Sequence, residues 1–325
     1  MAAGPASRGS GILRATETGL SLTLFVIQAL NGLQLGVLLF LMAAGLTLVF
    51  GIMSFVNLAH GSMYMMGAFF AASFYQYTGS FVLAAVLLVP AMLALGLAVE
   101  WIALRKLYQR DHLDQVLATF GLILFFNELA RIVWGPSPFY MEVPEFLSGA
   151  INLFGIRYPA YRLLIIATGL LVALGCYLLI HRSRVGMLIR AGATNRTMVG
   201  VLGVNIVLLN SLLFGLGAVL AGLAGLLAGP IMSVQAGMGE PILILTMVVI
   251  VIGGIGSIRG AFYASLIVGL VDTFGRTLLP TLLRGVLERS SADIAGPALA
   301  SMMIYMLMAI VLAIKPQGLF PVRNA

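Results

Sequence analysis

The sequence predicts an all-α integral membrane protein, a polytopic bundle of about eight or nine transmembrane helices with broken or re-entrant segments. Of the 325 residues, 61% are hydrophobic and only 9% are charged, whereas a soluble domain carries about 25% charged residues. Apolar runs long enough to span a bilayer follow one another along most of the chain. Two of these runs are interrupted by glycine and polar residues, which predicts broken helices inside the bundle.

The chain divides into a short tail and one membrane domain. Residues 1–19 are small and polar and predict a mobile N-terminal tail, and residues 20–325 predict a single transmembrane domain. The apolar run from Leu20 to Val56 is far longer than the core of a secretory signal, so we expect it to be retained.

The first interrupted run, Gly45–Ala68, organises the rest of the sequence. Its apolar helix reaches Gly51, polar residues including Ser54 and Asn57 interrupt it, and an apolar helix resumes at Ser62. Non-helical backbone at membrane depth survives only where protein buries it or where it lines a watery cavity. This break is therefore a candidate pathway through the bilayer.

A second interrupted run, Leu243–Gly269, has a similar order of apolar helix, glycine-centred break and small-residue helix. Within it, Gly254–Ile258 loosely resembles Gly51–Phe55. Paired broken segments in the two halves of a chain indicate a transport site. The alternative is that glycine-rich helices resemble one another by chance.

The remaining apolar runs fall between short loops and complete the bundle. The predicted spans are Val26–Phe50, Ser62–Tyr77, Phe81–Leu104, Gln115–Trp134, Tyr161–Ile180, Ile206–Ala228, Glu240–Gly253, Ala261–Leu279 and Pro297–Ile314.

The distribution of positive residues orients these spans. Residues 105–110 and 182–196 are basic and should be cytoplasmic, whereas residues 135–158 and 281–296 are neutral or slightly acidic and should lie outside. Lys315 and Arg323 then place the C-terminus inside. The side of the N-terminus stays open, because nine spans would place it outside, against the pull of Arg8 and Arg14.

Several kinds of chemistry have no matching residues. A P-loop needs a lysine after its glycines, and neither Lys106 nor Lys315 completes such a motif, so we expect that the chain does not itself hydrolyse ATP through a P-loop. The three histidines His60, His112 and His181 lie on separate segments without the spacing of metal ligands. We therefore predict a protein that is not an enzyme and that binds neither a metal nor a cofactor.

The net charge of +7 sits in short loops between apolar segments. This pattern indicates topology signals and contact with acidic lipid rather than with nucleic acid. The single cysteine, Cys176, lies in an apolar run and excludes a disulfide framework.

The charged residues within the spans predict self-neutralising pairs. Glu128 and Arg131 are three residues apart, and Asp272 and Arg276 are four apart, so each pair shares a helix face. Glu100 precedes Arg105 by little more than one turn. These pairs disfavour ion coupling, although a self-contained secondary transporter or channel remains the competing class.

The stretch Arg182–Asn205 contains four arginines and no acidic residue. Its apolar residues predict short helices at the membrane face. One interpretation is an amphipathic linker lying on lipid, and the other is a helix that docks in a groove of a soluble partner.

Three stretches make the chain resemble the permease subunit of branched-chain amino acid ABC importers, the LivH-type family. They are Gly45–Gly61 with Asn-Leu-Ala-His-Gly, Arg190–Asn205 ending in Leu-Gly-Val-Asn, and Val251–Gly260 with Gly-Gly-Ile-Gly-Ser. Their order and spacing cover nearly the whole chain.

The resemblance implies a bacterial inner-membrane subunit that moves branched-chain or related amino acids by alternating access. The implied partners are a second homologous permease, two cytoplasmic ATPases that bind ATP and magnesium, and a periplasmic substrate-binding protein. Relatives that import urea, amides or aromatic acids leave those solutes as alternatives.

The resemblance also implies two groups of site residues. The pathway or gate would be lined by Asn57, His60, Gly61 and Ser62, with Gly253, Gly254, Gly256 and Ser257 opposite. The helix that docks on an ATPase would use Arg184, Gly186, Arg190, Ala191, Asn195, Arg196, Leu202 and Gly203. A lipid-facing or purely structural role for His60 is the alternative.

Overall fold

The structure, a computed structural model, describes residues 9–53, 55, 57–153 and 155–321. Of the predicted tail, residues 1–8 lie outside the described residues, and the first helix already begins at Gly9. Residues 9–19 therefore continue that helix, and a mobile tail before it stays a prediction. Ser54, Val56 and Arg323 also lie outside the described residues.

Eleven α-helices and one hairpin make up the described part of the chain. The helices are α1 Gly9–Met53, α2 His60–Thr78, α3 Phe81–Val99, α4 His112–Trp134, α5 Ala160–Arg182, α6 Arg184–Thr194, α7 Arg196–Val201, α8 Ile206–Ala228, α9 Gly239–Gly253, α10 Ile258–Leu283 and α11 Arg289–Ile314, and the strands are β1 Ala150–Leu153 and β2 Ile156–Pro159. A π-helix at Glu100–Leu104 and a 3-10 turn at Arg105–Leu107 extend α3, and a second 3-10 turn covers Glu145–Leu147.

The predicted all-α membrane class is confirmed. Within the described residues, seven helices are long and apolar enough to cross a membrane: α1, α3 with its extension, α4, α5, α8, α10 and α11. The 15-residue α9 is apolar but shorter, and α2 has 19 residues of mixed composition. Together they account for the nine predicted segments.

Helix α1 forms the centre of the bundle, where it packs against α5, α8, α9 and α10. The contacts rest on glycine, which lets two backbones approach closely. A Cβ atom on Gly32 would lie 2.9 Å from the Cα atom of Leu270 in α10. A Cβ atom on Gly67 of α2 would lie 2.8 Å from the carbonyl oxygen of Gly222 in α8.

The two ends of the bundle differ in charge, and we call the end that carries residues 105–111 and 182–205 the basic end. Helix α1 reaches this end near Met53. Its other half lies by the hairpin at the opposite end, where the side-chain oxygen of Asn31 accepts a hydrogen bond from the Tyr158 hydroxyl at 3.1 Å. Helix α1 is therefore one continuous crossing, and its N-terminal half lies on the hairpin side.

The predicted pairing of charges within the spans is confirmed. Arg131 Nη1 lies 2.7 Å from Glu128 Oε1, and Arg276 Nε lies 2.8 Å from Asp272 Oδ1. The carboxylate of Glu100 is fully buried and pairs with Arg105 Nη2 at 2.8 Å. These carboxylates are neutralised by neighbours on their own segments.

Candidate translocation gate

The break between α1 and α2 brings the start of α2 to the middle of α1. His60 is buried, and its Nε2 atom lies 3.2 Å from the carbonyl oxygen of Met42. Gly45 leaves room for the imidazole, because a Cβ atom there would lie 3.0 Å from His60 Cε1. Helix α2 therefore starts inside the bundle, as expected for a re-entrant segment.

The start of α2 is buried but not fully paired. Asn57 has no exposed surface, and neither atom of its amide has a hydrogen-bond partner among the described residues. The cap residue Ala59 supplies no side-chain acceptor to the first turn of α2. Buried polar groups are normally hydrogen-bonded, so an unpaired amide within the bundle marks a place where a polar group can be received.

Gly61 and Ser62 fill the first turn of α2 and are buried. A Cβ atom on Gly61 would lie 2.7 Å from the carbonyl oxygen of Gly239, at the start of α9. This close approach requires glycine and fixes α2 against α9.

The break between α9 and α10 is a tight turn built on two glycines. Gly254 and Gly256 have positive φ angles of 101° and 81°, which glycine adopts without strain. The Ser257 hydroxyl accepts a hydrogen bond from the Gly260 amide at 3.1 Å and caps α10. The Phe320 amide donates to the Gly253 carbonyl at 3.0 Å, so residues after α11 also close on this turn.

The two breaks meet, but not in the way that the sequence predicts. A Cβ atom on Gly51 would lie 3.2 Å from the Cα atom of Gly256, so the end of α1 adjoins the second break. Gly61 instead adjoins the start of α9, and the 15 residues of that helix separate it from Gly253 by about 21 Å. The predicted lining residues thus form two layers, one within the bundle and one at its basic end.

The basic stretch folds into the two short helices that the sequence predicts. Ser183 caps α6 by accepting a hydrogen bond from the Gly186 amide at 2.9 Å, and its hydroxyl donates to the Leu179 carbonyl. A Cβ atom on Gly186 would clash with the backbone of Leu179 and Ile180. Glycine at this position therefore allows α6 to fold back against the end of α5.

The outer face of α6 and α7 combines positive and apolar side chains. Arg184, Arg190 and Ala191 are exposed, and so are the apolar side chains Val185, Met187, Met198, Val201 and Leu202. Asn195 caps α7 through the Met198 amide at 2.9 Å, and Gly203 turns the chain with a φ angle of 86°. The side chain of Arg196 lies outside the described residues. An exposed apolar patch with a positive rim is typical of a protein interaction surface.

A cavity of about 350 Å³ connects this stretch to the end of α1 and to the second break. Arg190 and Thr194 of α6 line it together with Gly51 of α1 and with Gly256 and Ser257 at the second break. Two groups of residues that the sequence assigns to separate tasks therefore face one space at the basic end.

Two polar contacts at the site cannot be predicted from sequence spacing. The Asn127 amide donates to Glu240 Oε1 at 2.5 Å and accepts from the Gly237 amide at 3.1 Å, which ties α4 to the start of α9. The Ser211 hydroxyl on α8 donates to Glu100 Oε2 at 2.9 Å. The two residues of each pair lie more than 100 positions apart in the sequence. The sequence indicates these contacts only by placing a polar residue inside an apolar run.

The sequence from residue 28 to residue 312 matches the family described as "Branched-chain amino acid transport system / permease component". The chain belongs to this family. The match includes both breaks and the two short helices, so the whole site lies inside the shared part of the permease.

Individual relatives agree with this assignment. The permease is 29% identical to the high-affinity branched-chain amino acid transport system permease protein BraD of Pseudomonas aeruginosa, over 91% of this chain and 95% of the relative. It is 28% identical to the corresponding protein LivH of Salmonella typhimurium, over 81% and 90%. It is 26% identical to a probable LivH of Methanocaldococcus jannaschii, over 73% and 76%.

No solved structure matches this chain. The family and the seven candidate spans together make the permease a multi-pass protein of the inner membrane.

Proposed function

We propose that this permease forms part of the membrane pathway of an ATP-binding-cassette importer and moves branched-chain or related amino acids by alternating access. ATP is bound and hydrolysed on two separate cytoplasmic subunits. A second homologous permease completes the pathway, and a periplasmic binding protein delivers the solute.

The observation that carries this proposal is the cavity shared by α6, the end of α1 and the second break. Because Arg190 and Thr194 face the same space as Gly51 and Gly256, a movement of α6 changes the space between the end of α1 and the second break. A docked ATPase that pushes or pulls on the exposed face of α6 therefore acts directly on the junction of α1 with α10. No step needs a nucleotide on this chain.

The gate has two layers in this proposal. The Gly51–Gly256 contact forms the layer at the basic end, where the two backbones pack closely beside the cavity of about 350 Å³. The start of α2 forms the inner layer, with the unpaired amide of Asn57 beside a first turn that has no side-chain cap. The positive end of a helix dipole attracts a carboxylate, which suits the solute's carboxylate group.

The relatives support an amino acid as the solute, because they are named as permeases of branched-chain amino acid transport systems. Urea, amides and aromatic carboxylic acids are the alternatives within the same class of importer. A carrier driven by an ion gradient is disfavoured, since the buried carboxylates Glu100 and Asp272 are both paired with arginine.

The proposal is tested by reconstitution. The permease, its partner permease and the ATPases are placed in liposomes with the binding protein and ATP, and uptake is measured for leucine, isoleucine, valine, urea and an aromatic acid. We expect ATP-dependent uptake of the branched-chain amino acids. Uptake by this chain alone under an ion gradient would refute the proposal. Preferential uptake of urea or an aromatic acid would show that the solute is not a branched-chain amino acid.

A further inference from the structure

A slot open to the outside of the bundle runs between α5 and α10. Both helices pack on α1, whose buried Phe40 forms the floor of the slot and meets Phe262 edge to face at 5.2 Å. The cavity measures about 620 Å³, within the range of about 300–1,000 Å³ that holds organic ligands. Its side walls include Leu170 and Leu174. Both side chains are about half exposed, because no described element covers them.

The slot has a charged mouth at the basic end. Arg259 Nη2 donates to His181 Nε2 at 3.2 Å, and the Arg259 guanidinium lies 5.9 Å from the centre of the Tyr177 ring. Since a guanidinium can only donate, His181 carries its proton on Nδ1, which donates to the Tyr177 carbonyl at 3.1 Å. Arg259 belongs to none of the four ion pairs among the described residues. Its positive charge therefore has no acidic partner there.

The length of the slot matches one leaflet of a bilayer. The α5 residues that line it run from Leu170 to His181, which is about 16 Å along a helix axis. Half of a hydrocarbon core is about 15 Å thick. An acyl chain lying parallel to α5 therefore fills the apolar part while its headgroup reaches the mouth.

We propose that this slot binds an acidic phospholipid of the cytoplasmic leaflet, with an acyl chain between α5 and α10 and the headgroup phosphate at Arg259. Three observations agree on this occupant: an apolar wall open to the outside of the bundle, a cation that no carboxylate of the described residues neutralises, and a position at the basic end. Basic pockets between helices on the cytoplasmic side are typical sites for anionic headgroups.

The site would connect the bilayer to the gate. Arg259 is the second residue of α10 and follows the turn at Gly254–Ser257 directly. His181 and Arg259 also line the cavity that α6 shares with the end of α1 and the second break. A phosphate bound at Arg259 therefore holds the first turn of α10 beside the end of α5.

The test measures lipid retention by native mass spectrometry on the purified full chain, and again on the assembled importer, after mixing with phosphatidylglycerol or phosphatidylcholine. We expect preferential retention of phosphatidylglycerol. Arg259→Gln should lower that retention by about fivefold, the effect of one cation near a lipid surface. Arg110→Gln, an exposed arginine at the same end but away from the slot, is the matched control and should retain the lipid.

A second pair of variants tests the acyl-chain part independently. Leu174→Trp fills the slot and should lower the retention, whereas Leu171→Trp, on the same helix but not lining the slot, should not. Equal retention of both lipids, equal loss in both arginine variants, or no loss in Leu174→Trp would each overturn the proposal. Loss of the bound lipid on assembly with the partner permease would also overturn it and would show that a protein surface covers the slot.

Discussion

Gly51 and Gly256 touch through their backbones, since a Cβ atom added to Gly51 would lie 3.2 Å from the Cα atom of Gly256. Gly51 lies in the last turn of α1, and Gly256 lies in the second break, 205 positions later in the sequence. The contact joins the two interrupted helices at the basic end. A side chain at Gly51 would press on the backbone of Gly256.

The first prediction concerns this contact. Gly51→Leu should force α1 and the second break apart, at a cost of about 1–3 kcal/mol for overpacking, and should strongly reduce ATP-driven leucine uptake in proteoliposomes. Gly121→Leu on α4 is the control, because nothing lies within 4 Å of a Cβ atom there. Full uptake by Gly51→Leu would show that the contact does not have to remain closed or reform during transport.

The second prediction separates the two roles of His60. His60→Ala removes a buried side chain and its hydrogen bond to Met42, which should lower the stability by about 2–5 kcal/mol. His60→Gln keeps a donor and should stay within about 1 kcal/mol of the native stability, yet it should transport less if the imidazole belongs to the gate. Thermal unfolding in detergent and leucine uptake are measured on the same samples. If uptake falls only as far as stability falls in both variants, the role of His60 is structural and the imidazole has no separate role in the gate.

The third prediction concerns the turn between α5 and α6. Gly186→Ala places a methyl group against the backbone of Leu179 and Ile180, so α6 should move away from α5. We expect weaker co-purification of the ATPase subunits and lower uptake. Gly175→Ala on α5 meets nothing within 4 Å and should leave both measurements unchanged. Normal ATPase association in Gly186→Ala would show that ATPase binding does not depend on the position of α6.

The fourth prediction tests the charge of the basic stretch. Reversing Arg190 and Arg196 to glutamate should weaken the pull-down of the ATPases, and the native association should fall as salt is raised, because exposed charges are screened. Arg289→Glu, an exposed change at the opposite end, is the control. Unchanged association and uptake in the double variant would refute docking through these arginines.

The fifth prediction compares a buried carboxylate with an exposed one. Glu100 accepts hydrogen bonds from Arg105, Ser211 and Tyr108. Glu100→Ala should destabilise the protein by about 1–3 kcal/mol, since it leaves the buried Ser211 hydroxyl without its carboxylate partner. Glu128→Ala breaks an exposed pair and should cost at most about 1 kcal/mol. Similar unfolding temperatures for the two variants would contradict this difference.

Much of the fold follows from local patterns. Apolar runs define most helix positions within a few residues, as for Ile206–Ala228, because the bilayer fixes the length of a span. The pairs Glu128–Arg131 and Asp272–Arg276 follow from helical spacing alone. The short helices α6 and α7 follow from the apolar residues within the basic stretch, and in the structure Ser183 and Asn195 cap them.

The arrangement of the site does not follow from local patterns. The sequence predicts the glycine break at 253–257 opposite His60, but the structure places that break beside Gly51. Which end of a broken helix meets which partner depends on the depth at which α2 restarts, and that depth is fixed by long-range contacts such as His60 with Met42. The roles of these residues in transport remain predictions.

The central position of α1 has a consequence for biosynthesis. Gly32 of α1 packs on Leu270, and 238 residues of synthesis (270 − 32) separate them. At about 5–20 residues per second, the ribosome delivers α10 roughly 12 to 48 s after the matching face of α1. During that interval α1 is already in the membrane while α10 has not yet been synthesised. The insertion machinery or lipid must therefore cover the glycine face of α1 until translation is nearly complete.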